Sequence, residues 1–393
     1  MPVELIEKDS PETRARRPWE VVESIIESGA DWRSNSMVRD ELHPVCFKHY
    51  ERYGLGDLIV ETFQDPLKLS SEGDITTTRD YATYRGAFEE GAHRKVADFA
   101  DEVHPGRILD IGCATGQTIK LLSEKPQLFE SDFYGVEAAR PLYEICEQRK
   151  SNGEFGTANV FFYQRNIMRS SLFPRNSLDT VITMALTHEI NSYLGQQALL
   201  DFVKRVYDMT APGGIYINYD VVAPTGKDRP VYAIFTDNDG ANPDDLFPSL
   251  EGNDLADFLK SLSSKARFWR FVHDFRREEG DQIKVSNEVV NGVEYVMLRY
   301  ADLADFLAKR DYTDSWLSEM HERFCFWEFA DWKKVLNDTG FNLTDTSRTV
   351  QNQWLIENRF KPAAKVFVKD KSDNLMPLEP PETNVLLFAI KPV

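Results

Sequence analysis

The stretch from Arg107 to Gln117, RILDIGCATGQ, constrains what this chain can fold into more than any other segment. Apolar residues lead into Asp110, two glycines follow in a D-x-G-x-x-x-G pattern, and the helical run Thr118 to Leu122 comes next. Glycine at Gly112 and Gly116 lets the backbone turn sharply and approach a ligand that side chains would exclude. The segment reads as a buried strand, a tight turn and a helix N-terminus, an arrangement that holds a nucleotide-like ligand against backbone amides.

The surrounding chain continues the pattern. Apolar strand-like runs occur at Phe133 to Glu137, Asn159 to Gln164, Asp179 to Met184 and Gly214 to Asp220, with helix-sized segments between them. Such alternation predicts βαβ units and a parallel sheet with right-handed crossovers. Pro212-Gly213-Gly214 marks a turn before the last of these strands, Gly340 ends a helix, and Asn384 to Ile390 reads as a closing strand. The expected architecture is an α/β, Rossmann-like, doubly wound and mostly parallel seven-stranded sheet with an inserted, mainly helical cap. The expected divisions are an N-terminal helical lid over 1–80, a cofactor-binding core over 81–221, a substrate cap over 222–325 with a hairpin around Asn291-Gly292, and completion of the core sheet over 326–393.

Composition narrows the function classes. A net charge of −18 disfavours DNA or RNA as the principal partner, because gripping phosphates asks for a basic excess. Cys46, Cys113, Cys146 and Cys325 show no paired spacing, which suggests neither a disulfide framework nor a zinc cluster. No apolar run approaches the ~20 residues that span a bilayer, and the first twenty residues lack a signal-peptide core, so a cytoplasmic setting is expected.

In open parallel sheets, ligands sit beyond the carboxyl ends of the strands where strand order reverses. Asp110 stands at one such end. Glu137 stands at the next, roughly twenty residues past the glycine turn, where an acid commonly holds two ribose hydroxyls. With these residues in order, the chain resembles the class I S-adenosylmethionine-dependent methyltransferases, over about 80–221 and again over about 326–390. The G-x-G-x-x-G of nicotinamide dehydrogenases does not occur. The resemblance implies S-adenosylmethionine as cofactor. It places Asp110, Gly112, Ala114 and Gly116 around the methionine part and ribose, Glu137 at the ribose diol, and Asn166 and Ile167 at the adenine edge. Ala185, Leu186 and Thr187 would line the methyl-transfer mouth, and Tyr81 and Arg85 would close the pocket, with Arg85 on the methionine carboxylate. Many members have Asp at the Asn166 position and Gly at the Ala114 position.

Methyl transfer from a sulfonium is an in-line displacement, so the protein mainly aligns donor and acceptor and excludes water. A base helps when the acceptor loses a proton. His188 and Glu189, just after the fourth strand, are the catalytic candidates, with His188 as base or acceptor-orienting group. The pair lacks the second histidine of H-E-x-x-H, and no metal is expected. In the cap, Arg267 and Arg270 among Phe268, Phe271 and Phe275 suggest an anionic, partly apolar acceptor, or an amphipathic helix with a solvated basic face. His321 and Trp327 complete the substrate-binding candidates, and Glu322 is a secondary catalytic one. The expected function is methyl transfer to a small molecule of natural-product metabolism, without nucleic-acid or membrane partners. Alternatives are C-methylation of a prenyl diphosphate, an RNA or protein methyltransferase, or a cofactor-binding protein without catalysis. A homodimer through the N-terminal helices is a further expectation.

Overall fold

The computed structural model describes residues 91–168 and 172–393. The expected lid over 1–80, with the expected dimer contact, and the expected cofactor residues Tyr81 and Arg85 therefore lie outside the described residues. The described residues fall into two compact units, one of 91–182 with 208–214 and one of 183–207 with 215–393.

The first unit carries strands β1 (Arg107–Ile111), β2 (Asp132–Glu137), β3 (Asn159–Gln164) and most of β4 (Leu178–Met184). Helices α1 (Gln117–Ser123) and α2 (Arg140–Ser151) connect the first three. β1, β2 and β3 pair in parallel, with Asp110 opposite Gly135 and Val136 opposite Phe162's neighbour Tyr163. Their residues are almost wholly buried, as continuous apolar runs in a sheet covered on both faces must be. A side chain at Gly135 would place its Cβ 2.5 Å from the Phe162 ring, so glycine there lets the ring lie across the strand.

The second unit continues from the end of β4 through α3 (Thr187–Glu189), a π-helical turn (Ile190–Leu194) and α4 (Gln196–Met209). Strand β5 (Thr210–Val221) is followed by a segment with its own sheet: β6 (Pro230–Phe235), β7 (Ser286–Val290), β8 (Val293–Arg299), and later β11 (Ala364–Lys369) and β12 (Leu375–Pro377). β9 (Asn342–Leu343), β10 (Arg348–Val350) and β13 (Asn384–Ile390) return to the larger sheet. That sheet has the order β10-β13-β5-β4-β1-β2-β3, with β9 also on β13, and the smaller one the order β12-β11-β6-β8-β7. β13 runs antiparallel to β5. This is the expected Rossmann-like α/β architecture.

The segment after β5 holds the expected helices, α5 (Gly252–Ser261), α6 (Ser264–Asp274) and α7 (Tyr300–Lys309). It also holds the hairpin at Asn291-Gly292, joining β7 to β8. The five-stranded antiparallel sheet is new relative to the sequence reading. It recruits β11 and β12 from 326–393, so that stretch serves both sheets. Phe268, Phe271 and Phe275 are fully buried against β6, β8 and α7 in the core of this segment, each contributing about 1.5–3 kcal/mol of burial. α8 (Trp316–His321) and α9 (Phe329–Thr339) follow, the latter started by a reciprocal Glu328–Asp331 capping box and stopped by Gly340 at φ 110°.

Candidate functional site

The loop from Gly112 to Gly116 is built from backbone that side chains resist. Gly112, Ala114 and Gly116 have φ of 71°, 49° and 74°, the left-handed region that glycine enters without cost. At Gly116 a Cβ would also fall 2.9 Å from the Phe162 ring. Val136 carbonyl accepts the Gly112 amide at 2.8 Å, and Glu137 Oε2 accepts the Ala114 amide at 2.9 Å. The other oxygen of Glu137 accepts the Ala139 amide at 2.9 Å. Glu137 thus clamps the loop to the end of β2. Arg149, which sequence reasoning missed, braces the loop from α2: its guanidinium donates to Thr115 carbonyl and Gln117 Oε1, both at 2.7 Å, and pairs with Glu154. An arginine late in a helix carries no sequence signal for such a role.

Asp110 is buried at the end of β1, and its Oδ2 has no hydrogen-bond partner among the described residues. Buried polar atoms are nearly always paired, so this oxygen marks a place where a ligand donor belongs. Burial, then the charge of Glu137, raise the Asp110 carboxyl to about 7, with Thr118 acting in the opposite direction. Asn166 follows β3, and its Oδ1 accepts the Met168 amide at 2.9 Å, closing an Asx turn. Ile167 is buried beside it. The first unit therefore brings Asp110, Gly112, Ala114, Gly116 and Glu137 together and sets Asn166 and Ile167 at the end of β3.

In the second unit the turn after β4 passes through Ala185, a non-glycine residue at φ 55° whose amide donates to Tyr219 carbonyl at 2.9 Å. Strained backbone of this kind concentrates at functional sites. His188 follows in α3. Its Nδ1 lies 2.6 Å from Asp220 Oδ1, and its Nε2 lies 3.4 Å from Glu322 Oε2. Asp220, at the end of β5, also accepts from the amides of Thr187 and His188 and from Thr187 Oγ1. Burial alone would lower the His188 pKa; the charges and hydrogen bonds of Asp220 and Glu322 outweigh it and raise the ring to about 10. An imidazolium held between two carboxylates has no lone pair to receive a proton. Both expected roles of His188, base and acceptor-orienting group, turn on the charge of this ring. Asp220, the last acid of an apolar strand, was the signal available in sequence. Glu322 and Tyr193, whose hydroxyl donates to Glu322 Oε1 at 3.4 Å, join the centre through the fold alone. His188, Glu189 and Glu322 each offer a donor atom within 4.8 Å of one another, a set able to hold a divalent ion in place of the ring proton.

Other expected substrate residues are otherwise engaged. Arg267 pairs with Asp311 at 2.8 Å and donates to the carbonyls of Arg310, Lys260 and Leu262. Arg270 pairs with Asp274 at 2.6 Å and donates to the carbonyls of Leu246 and Pro248. Both guanidiniums are buried and serve as internal braces, which removes the basis for an anionic acceptor. His321 Nδ1 lies 2.7 Å from Glu279 Oε1, and its ring packs against Tyr193 with centroids 6.4 Å apart. Trp327 is buried edge-on against Trp332, with centroids 4.8 Å apart. Both side chains thus have partners within the protein, Glu279 and Trp332.

Residues 108–214 match the family model described as a methyltransferase domain. The demethylmenaquinone methyltransferase of Thermotoga maritima is 34% identical over 76 residues, which cover 19% of this chain and 32% of that protein. The chain thus spans about a third of that relative's length. Among solved structures, the YcgJ protein of Bacillus subtilis has 13% identity and a TM-score of 0.40, covering 77% of this chain and 99% of its own. The CcbJ methyltransferase of Streptomyces caelestis has 13% identity and a TM-score of 0.38, covering 77% and 95%. The matched residues 108–214 include Asp110, the Gly112–Gly116 loop and Glu137, so the methyltransferase-domain match falls on the site described above.

Proposed function

We propose that the chain transfers methyl groups from S-adenosylmethionine to a small-molecule acceptor by in-line displacement. The observation that carries this reading is the unpartnered, buried Asp110 Oδ2 beside a loop with three left-handed residues in five. The cofactor, when bound, supplies an electrophilic methyl group on a sulfonium. Asp110 and the Gly112–Gly116 amides would hold its methionine and ribose portions, and Glu137, Asn166 and Ile167 the ribose and adenine. Glu137, whose two oxygens accept the amides of Ala114 and Ala139, is the acid that would meet the ribose diol.

For the transfer step, Glu189 takes the acceptor's proton and His188 orients the acceptor as a fixed cation. Asp220 and Glu322 hold that cation in place. The small size of the acceptor and its place in natural-product metabolism rest on the extra sheet-and-helix segment after β5, which is large enough to wall an acceptor site. No helix among the described residues is long and apolar enough to cross a membrane, which agrees with a proposed cytoplasmic setting. The prenyl diphosphate alternative loses its support once Arg267 and Arg270 are internal braces.

Isothermal calorimetry with S-adenosylhomocysteine tests the reading. Binding is expected, and Asp110→Ala and Glu137→Ala should each weaken it by tenfold or more, about 1.4 kcal/mol. Unweakened binding in both variants would remove this site. Incubation with methyl-labelled cofactor and a metabolite panel, read by mass spectrometry, then identifies the acceptor.

A further inference from the structure

We infer that Asp110 is a specificity-determining residue that distinguishes the charged methyl donor from the neutral product, by binding the donor as a carboxylate and the product as a neutral acid. The inference rests on the methyltransferase reading of this site and deepens it.

Two carboxyl groups end neighbouring strands, and their surroundings differ. Glu137 directs its oxygens at the amides of Ala114 and Ala139. Asp110 is 2% exposed, and its Oδ2 has no partner among the described residues. A buried carboxylate so poorly solvated beside a second acid holds its proton more tightly than an exposed one. The groups facing it from each packed element sharpen the point. β2 presents Glu137, the loop presents Cys113, and α1 presents Thr118. Cys146 of α2 faces Cys113, and Arg149 of α2 is spent on Glu154 and on loop acceptors. Thr180, Val181 and Ile182 of β4 bring no charge. Among the described residues no cation of these groups is paired with Asp110, so a positive charge brought close by a ligand would shift its ionisation. The carboxyl stands at about 7, where a modest perturbation changes its proton occupancy.

S-adenosylmethionine differs from S-adenosylhomocysteine by one positive charge on sulfur. In a low-dielectric pocket that charge favours ionised Asp110, and the proton passes to the buffer. After transfer the sulfur is neutral, the proton returns, and the attraction between pocket and product is smaller. Asp110 thereby favours donor over product in a pH-dependent way.

The test is calorimetric titration of the full chain with S-adenosylmethionine and with S-adenosylhomocysteine, each at pH 6, 7 and 8 in two buffers of different ionisation enthalpy. Proton release at pH 7 is expected with the donor and not with the product. The donor-to-product affinity ratio should rise about tenfold from pH 6 to pH 8. In Asp110→Asn, product binding should persist while the donor-linked proton release and the pH dependence of the ratio disappear. On the unaltered protein, infrared difference spectra should show a protonated-carboxyl band lost on adding donor and retained on adding product. Equal proton release with both ligands, none with either, or a ratio unchanged in Asp110→Asn would overturn the inference while leaving the cofactor site intact. Failure of both ligands to bind at every pH would overturn the methyltransferase reading, and this inference with it.

Discussion

His188 Nδ1 and Asp220 Oδ1 lie 2.6 Å apart, both side chains buried. The second oxygen of the same carboxylate receives the amides of Thr187 and His188 at 2.7 and 3.1 Å. One side chain therefore fixes both the ring and the backbone of the turn after β4.

Asp220→Ala should cost about 3–5 kcal/mol of stability, because it strands a buried cation and two amides. Chemical denaturation measures this. A loss below about 1 kcal/mol would show that the ring is not charged in the folded protein.

The His188 pair also sets a pH dependence. Its folded pKa, about 10, lies above the ordinary 6.5. The stability it supplies is complete below about pH 6.5 and is lost as pH rises through about 10. Thermal denaturation between pH 7 and 10 should show a decline that His188→Gln flattens.

Asp110 gives a dependence of the same sign over a lower pH window, with a destabilising rather than a stabilising charge. A carboxyl raised from 3.8 to about 7 makes the folded state less stable as pH climbs through that window. Asp110→Asn should raise stability at pH 8 by on the order of 2–4 kcal/mol. Denaturant midpoints at pH 5 and 8 check this, and the gain should be smaller at pH 5.

Gly116 and Gly153 share a φ of 74°, but only Gly116 faces a neighbour, the Phe162 ring. Gly153→Ala should cost about 1–2 kcal/mol for the left-handed backbone. Gly116→Ala should cost more and should also weaken S-adenosylhomocysteine binding. Equal costs would mean that Phe162 yields without consequence.

Arg270→Ala should lower stability by about 2–4 kcal/mol, since Asp274 and two carbonyls lose their donor. Cofactor affinity should stay unchanged in calorimetry.

Local rules made much of this protein legible in its sequence. The alternation of apolar runs and helices fixes the parallel strands, and the spacing from Asp110 to Gly116 to Glu137 fixes the loop, because these depend on backbone conformation and on neighbours within one βαβ unit. Gly340 and the Asn291-Gly292 turn were readable for the same reason. Tertiary structure alone decided which charges meet. Arg267 and Arg270 look like ligand-binding cations until Asp311, Asp274 and a set of carbonyls surround them. His188 looks like a base until Asp220, 32 residues on, and Glu322, from a different helix end, enclose it. A side chain's protonation state and availability are set by groups within a few ångströms, and sequence distance does not report which groups those are.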